Sequence, residues 1–215
     1  MTVFFKTFTP VILLLTFTAC GGKSGSYLGN QTEPSKLLSL NKTNLDVPYY
    51  CQMDNRVEKH ATCSNSSLAM VLDFNGTKSI GSSGNLADQL YNKFGKLNSV
   101  AKIASTAQSL GYKAETRVPS SFSQIKRDLD KGLPVIIGGD FVGRAGHFIV
   151  AKGYNETGFV VHDPYGDWDR TTISPGNGYG SYLCNNGYSG ENKVYTYSQM
   201  HRAAGPGFWT VTISK

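Results

Sequence analysis

The most distinct helical pattern of the chain begins at a cysteine. Residues 63–74, CSNSSLAMVLDF, pass from small polar residues into a nearly continuous apolar run, and Asn75-Gly76 follows. This pattern predicts a buried helix that begins at Cys63. Apolar residues recur at helical spacing in three further segments, each of which a glycine ends: Asn85 to Phe94, residues 98–110 and residues 122–129.

The second half of the chain has the pattern of strands. Apolar, β-branched and aromatic runs alternate with Gly, Asn and Pro turns, which predicts strands at residues 112–118, 134–139, 147–154, 159–163, 194–197 and 208–213. Helices come first and an antiparallel sheet afterwards. This order indicates the α+β class, with the cysteine-bearing helix packed on the sheet.

The N-terminus has the pattern of an export signal. Residues 1–19 combine one Lys, a short apolar run and small residues before Cys20, and the run is too short to span a membrane. The segment resembles a bacterial lipoprotein signal, which implies that Cys20 is lipidated and begins the mature protein. We therefore expect a lipidated N-terminus and flexible tether over residues 20–45, a domain over residues 46–215, and an extracytoplasmic location on a bacterial membrane.

Composition narrows the classes of function. The chain has 215 residues, 40% hydrophobic and 17% charged, which favours one globular domain with a substantial core. The net charge of +6 comes from scattered Lys and Arg, so we expect no nucleic-acid partner. We find no phosphate-binding glycine motif and no regular metal-ligand spacing. We therefore expect no cofactor and no metal. We also expect a monomer.

The four cysteines are expected to have different roles. Cys63 lies at a predicted helix N-terminus, where the helix dipole favours a thiolate. We predict a disulfide between Cys51 and Cys184, because that pairing leaves the helix thiol free. The alternative pairing, Cys51 with Cys63, stays open at this stage.

A thiol nucleophile needs an imidazole and a group that orients it. His147 opens a predicted strand and is the favoured candidate over His60, His162 and His201. Asp163 follows two apolar residues on its own strand face, where a carboxylate needs a partner, and His147 on the neighbouring strand supplies one. Gln52 and the backbone N–H of Cys63 are candidate oxyanion donors.

Four segments together resemble a known family: VPYYCQMDN, TCSNSSLAMVLDFNG, LDKGLPVIIGGD and GHFIVAKGYNETGFVVHDPYG. They are similar to the papain-fold peptidases of cysteine peptidase family thirty-nine, which includes the bacteriocin leader-processing peptidases and free-standing relatives. The resemblance implies Cys63 as nucleophile, His147 as general base and acid, Asp163 as orienting residue and Gln52 as oxyanion donor.

The leading hypothesis is therefore a membrane-anchored cysteine peptidase that cleaves peptide bonds through an acyl-enzyme. Two alternatives remain: a transglutaminase-like acyltransferase or cell-wall peptide hydrolase, and a binding lipoprotein without turnover on the same scaffold. The Gly- and Asn-rich residues 171–192 suggest a loop over the cleft that offers Tyr179, Tyr182 and Tyr188 to an extended substrate. Trp168 and Trp209 are interpreted as packing aromatics.

Overall fold

The structure is a computed structural model that describes residues 43–81, 83–141, 146–167, 184, 189–204 and 207–215. These residues all belong to one of two units of the chain, residues 38–215; the other unit is residues 1–37. The expected signal sequence, Cys20 and the tether up to residue 42 lie outside the described residues. No helix within these described ranges is long and apolar enough to cross a membrane.

Five helices are described, and local side chains cap three of them. The helices are α1 (Cys63–Phe74), α2 (Leu86–Phe94), α3 (Val100–Ser109), α4 (Phe122–Asp130) and α5 (Tyr197–Ala204). Asn85 accepts from the backbone N–H of Asp88, whose carboxylate accepts from Asn85 N–H in return. Ser99 and Ser121 cap α3 and α4, where the hydroxyl of each accepts from one backbone N–H. These caps satisfy N–H groups that a helix start leaves without backbone partners.

Six antiparallel strands form one sheet. They are β1 (Lys113–Ser120), β2 (Val135–Gly139), β3 (His147–Tyr154), β4 (Gly158–His162), β5 (Lys193–Thr196) and β6 (Phe208–Ser214). The order across the sheet is β1-β6-β2-β3-β4-β5. The last strand of the chain therefore inserts between the first two.

Helices cover both faces of the sheet. Alternate residues of β2 and β3 point to opposite sides, as the period of a strand requires. Ile136 and Val150 pack in one core with α1, α2 and α3. Ile137 and Ile149 pack in a second core with α4 and α5. β2 is buried throughout for this reason.

The α+β class predicted from the pattern is confirmed. The predicted starts of α1 and β3, Cys63 and His147, match the structure. The pattern predicts a strand that ends at Tyr197 and no helix after it, which is wrong, because residues 197–204 form α5. The sequence pattern predicts α4, but it does not predict that α4 and α5 cover the second face of the sheet.

Candidate active site

Cys63 is the first residue of α1 and carries a free, partly exposed thiol. A buried amide holds the start of this helix in place. Asn55 donates to the hydroxyls of Thr62 and Ser66 at 2.9 and 3.0 Å, on either side of the cysteine. The next turn is tied to the sheet, because the Ser67 hydroxyl donates to the carbonyl of Phe148 at 3.2 Å. The thiol therefore has a fixed position against the start of β3.

The structure brings His147 and Asp163 into direct contact. His147 Nε2 lies 2.7 Å from Asp163 Oδ1, and both residues are buried. His147 also makes a hydrogen bond with the Cys63 side chain. Since Nε2 is engaged by the carboxylate, Nδ1 is the nitrogen that faces the thiol. Cys63, His147 and Asp163 thus form a continuous hydrogen-bonded series.

Asp163 is fully buried and well supplied with donors. Besides His147, Oδ1 accepts from the backbone N–H of Tyr165 at 2.9 Å, and Oδ2 accepts from the Tyr195 hydroxyl at 2.7 Å. The Asp163 backbone N–H donates to the carbonyl of Gly190 at 2.9 Å. Such donors make burial of a carboxylate tolerable. Sequence reasoning missed Tyr195 and Gly190, whose only signal was a buried strand position and a loop glycine.

The electrostatics of the pair favour separated charges. Burial raises the pKa of the Cys63 thiol, but the charge and hydrogen bond of His147, with a hydrogen bond from the Phe148 backbone, outweigh burial and lower the pKa overall. Burial lowers the pKa of His147, but Asp163 and Cys63 outweigh it and raise that pKa to about 10. Each shift favours the charged form of its group, the thiolate of Cys63 and the imidazolium of His147.

Gln52 lies beside the thiol in a 3-10 helix, Gln52–Asp54. Its side chain is buried, and Nε2 donates to the carbonyl of Lys59 at 2.6 Å. That contact fixes which end of the amide is the NH₂ group, since a carbonyl accepts only from a donor. The amide keeps a second hydrogen. Gln52 Oε1 is buried and meets no donor among the described residues.

Gln52, Cys63 and His147 line a cavity of about 640 Å³. Its described lining residues are Gln52, His60, Ala61, Cys63, Ser64, Lys96, Leu97, Asn98, Ser99, Val100, Val118, Gly146, His147, Phe148, Tyr165 and Trp209. Trp209 was interpreted as a packing residue, and the structure corrects this, because 42% of it is exposed in the cavity wall. The Trp209 side chain lies on the sheet face that carries α1, α2 and α3, but these helices do not cover it.

A disulfide joins Cys51 to Cys184 across 133 residues. It links the two segments that flank the site. The backbone N–H of Gln52 donates to the carbonyl of Pro164 at 2.7 Å, and that of Cys184 donates to the carbonyl of Tyr165 at 3.2 Å. The Gln52 turn and the segment after Asp163 are therefore held together covalently and by hydrogen bonds.

The other three histidines have different surroundings. His162 is buried, and its ring bonds the carbonyl of Val47 at 2.8 Å and the N–H of Asn192 at 3.1 Å. Burial lowers the pKa of His162 to about 4, so this ring is neutral and structural. His60 reaches the cavity, where Nδ1 lies 3.1 Å from the Tyr165 hydroxyl. His201 is exposed on α5.

Several predicted residues lie outside the described residues: Cys20, Trp168, Tyr179, Tyr182 and Tyr188. Over the ranges that are described, no group of three or more His, Cys, Asp or Glu residues could hold a metal ion.

Comparisons with known proteins identify the family and the fold. The protein-family model described as "Peptidase_C39 like family" matches residues 44–200. A double glycine motif protease from an AMS/PCAT transporter, solved in complex with its leader peptide, is 17% identical, with a TM-score of 0.51 over 80% of this chain and 94% of that one. This similarity shows a shared fold, the papain-like α+β fold predicted above.

Two further solved structures are similar at lower scores. A C39-like peptidase from Bacillus anthracis is 16% identical, with a TM-score of 0.49 over 81% of this chain and 98% of that one. The peptidase domain of Streptococcus ComA, a bi-functional ABC transporter involved in quorum sensing, is 15% identical, with a TM-score of 0.46 over 72% and 92%. No curated protein sequence matches the chain significantly.

Proposed function

This chain belongs to the Peptidase_C39 like family, and from that premise we propose that it cleaves peptide bonds with Cys63, His147 and Asp163 as its catalytic triad. The observation that carries the proposal is the series of contacts from the thiol to a buried carboxylate. His147 lies between them, at 2.7 Å from Asp163.

The chemistry follows from the charges of the pair. The Cys63 thiolate attacks the carbonyl carbon of the substrate, and the carbonyl oxygen becomes an oxyanion. His147 then gives its proton to the leaving amine, the carbon–nitrogen bond breaks, and a thioester remains on Cys63. Water attacks this thioester while His147 accepts a proton, which releases the acid and restores the thiolate. Asp163 holds the imidazole in the required orientation throughout.

Stabilisation of the oxyanion is assigned to Gln52 and to the start of α1. The second hydrogen of the Gln52 amide and the backbone N–H of Cys63 are the proposed donors. The Lys59 carbonyl, at 2.6 Å, keeps the amide oriented before substrate arrives. A donor that is already oriented pays no reorganisation cost during the reaction, which is the main source of its catalytic effect.

We place the enzyme outside the cytoplasm, anchored through lipid on Cys20. The export pattern of residues 1–19 supports this location. The Cys51–Cys184 disulfide supports it independently, because such bonds persist in oxidising compartments. The substrate is accordingly an extracytoplasmic peptide or protein, and the enzyme acts as a monomer without a cofactor.

Trapping of the acyl-enzyme tests the proposal. The purified full chain is mixed with a peptide library, quenched in acid and analysed by mass spectrometry for cleaved peptides and a thioester on Cys63. We expect Cys63→Ala to abolish turnover and to retain the fold. Turnover that survives Cys63→Ala rejects the mechanism. An amine acceptor, added in parallel, distinguishes hydrolysis from acyl transfer.

A further inference from the structure

Two exposed apolar side chains lie in the wall of the Cys63 cavity. The exposed large hydrophobic residues of the described ranges are Val118, Val194 and Trp209, at 57%, 42% and 42%. Val118 and Trp209 line the cavity, whereas Val194 lies on β5, away from it. Exposed apolar residues inside a reactive cleft are better placed for a ligand than isolated ones elsewhere on a surface.

The exposure of Trp209 follows from its place on β6. Trp209, Val211 and Ile213 share the sheet face that packs against α1, α2 and α3, and the latter two are covered by helices. Trp209 is two residues further toward the start of β6, beside Gly146 and His147, where the same face is left open. The row of apolar residues thus continues from the core into the cavity.

Two glycines provide the space for the indole ring. Gly138 of β2 pairs with Trp209 on one side and Phe148 on the other. A Cβ at Gly138 would lie 2.8 Å from the Phe148 ring and 3.3 Å from the Trp209 ring, and one at Gly146 would lie 3.3 Å from the indole. Both rings therefore lie over the bare backbone of Gly138, where a side chain would leave them no room.

We call the surface formed by Val118, Phe148 and Trp209 the apolar slot. Leu97 and Val100 line the same cavity, and among its described lining residues there is no Asp or Glu, whereas Lys96 is present. A cationic side chain would find no counter-charge here and would lose hydration. An aliphatic or aromatic side chain would instead bury apolar surface.

We propose that the apolar slot is a substrate subsite that binds a bulky apolar side chain, Leu or Phe, of the peptide cleaved at Cys63, and that Trp209 determines this specificity. The proposal rests on the proposed function and names its substrate class. The slot shares one cavity with the thiol and the imidazole, so a peptide that reaches Cys63 also reaches the slot.

The full chain is first given a mixed peptide library. The cleaved peptides identify the substrate position whose side chain the apolar slot binds. Peptides with Leu, Ala or Lys at that position are then compared. We expect kcat/KM to be about tenfold or more higher for Leu than for Ala, a typical discrimination of an apolar pocket, and lowest for Lys. Trp209→Ala abolishes the preference for Leu over Ala, Trp209→Phe keeps part of this preference, and Val118→Ala reduces it. Val194→Ala is the matched control and leaves it unchanged.

Two results overturn the subsite but leave the proposed peptidase activity intact. One is cleavage without preference for Leu, and the other is an equal loss of kcat/KM on Leu and Ala peptides in Trp209→Ala. If no peptide is cleaved, the proposed function fails, and binding of the same library to Cys63→Ala decides the slot alone. Enrichment of apolar peptides that Trp209→Ala abolishes then supports the slot. Equal retention of apolar and polar peptides rejects it.

Discussion

The Tyr195 hydroxyl donates a hydrogen bond to Oδ2 of Asp163 at 2.7 Å, while His147 uses the other oxygen of the same carboxylate. Both carboxylate oxygens are thereby engaged by side chains from different strands. The carboxylate is fixed in rotation as well as in position, and the plane of the His147 ring is constrained with it. The orientation of the imidazole therefore depends on a residue that does not itself face the thiol.

Tyr195→Phe removes this donor with almost no change in shape. We expect a loss of about 1–3 kcal/mol in the free energy of unfolding, because a buried charged acceptor loses a partner. We also expect kcat to fall by up to about tenfold, which corresponds to about 1.4 kcal/mol of lost transition-state stabilisation. Urea unfolding and steady-state kinetics measure the two effects.

Tyr197→Phe is the matched control for Tyr195→Phe. The Tyr197 hydroxyl donates to the Asn155 carbonyl at 2.6 Å, remote from the thiol. Its loss lowers stability and leaves kcat unchanged. Equal effects of both variants on kcat would show that Tyr195 has only a general structural role.

Gly190→Ala tests the close packing behind Asp163. A Cβ at residue 190 would overlap the carbonyl oxygen of Asp163 and approach the Cβ of Asp163 to 3.0 Å. We expect overpacking to cost about 1–3 kcal/mol of stability, with a fall in kcat/KM because the carboxylate is displaced. Gly81→Ala is the control, since its nearest contact would be an ordinary 3.6 Å to Gln89. Unchanged kcat/KM in Gly190→Ala would contradict the prediction.

The disulfide gives a third prediction. Because Cys51 and Cys184 are 133 residues apart, their bond restricts a large loop of the unfolded chain. The double variant Cys51→Ser, Cys184→Ser should lose about 2–5 kcal/mol of unfolding free energy. Activity should fall as well, since the bond holds the Gln52 turn against Pro164. A double variant with wild-type stability and kcat would refute both expectations.

His162 predicts a pH-dependent stability. Its folded pKa, about 4, lies below the ordinary value of 6.5, so the unfolded state binds the extra proton between these pH values. Stability is complete above pH 6.5 and is lost as the pH falls toward 4, by about 3 kcal/mol at most. The difference in unfolding free energy between the wild type and His162→Gln should shrink by this amount between pH 7 and pH 4. A constant difference would show that burial does not lower the pKa of His162 in the folded protein.

The sequence could predict elements whose pattern is local. The helix at Cys63 and the strand at His147 follow from the apolar run and from their flanking glycines and asparagines, and their starts match the structure. The meeting of His147 and Asp163 could also be inferred, because an acid on an apolar strand face requires a partner.

Features that depend on distant pairing could not be predicted. Tyr195 reaches Asp163 only because β5 pairs with β4, and a strand pattern does not state its neighbour. Trp209 enters the cavity because the last strand inserts beside β2. The helix at residues 197–204 has only two buried positions, Met200 and Ala203. They do not outweigh the strand-like pattern of Val194, Tyr195 and Tyr197.

The rate of Cys63 alkylation against pH tests the central claim most directly. Iodoacetamide is applied to the full chain without reductant, and mass spectrometry follows the label on Cys63. We predict half-maximal labelling well below the ordinary thiol pKa of 9.0, because His147 stabilises the thiolate. In His147→Ala, the midpoint should move up toward 9.0 or beyond, and labelling near neutral pH should slow. A midpoint near 9.0 in the wild type, or one that His147→Ala leaves unchanged, would contradict an activated nucleophile at Cys63.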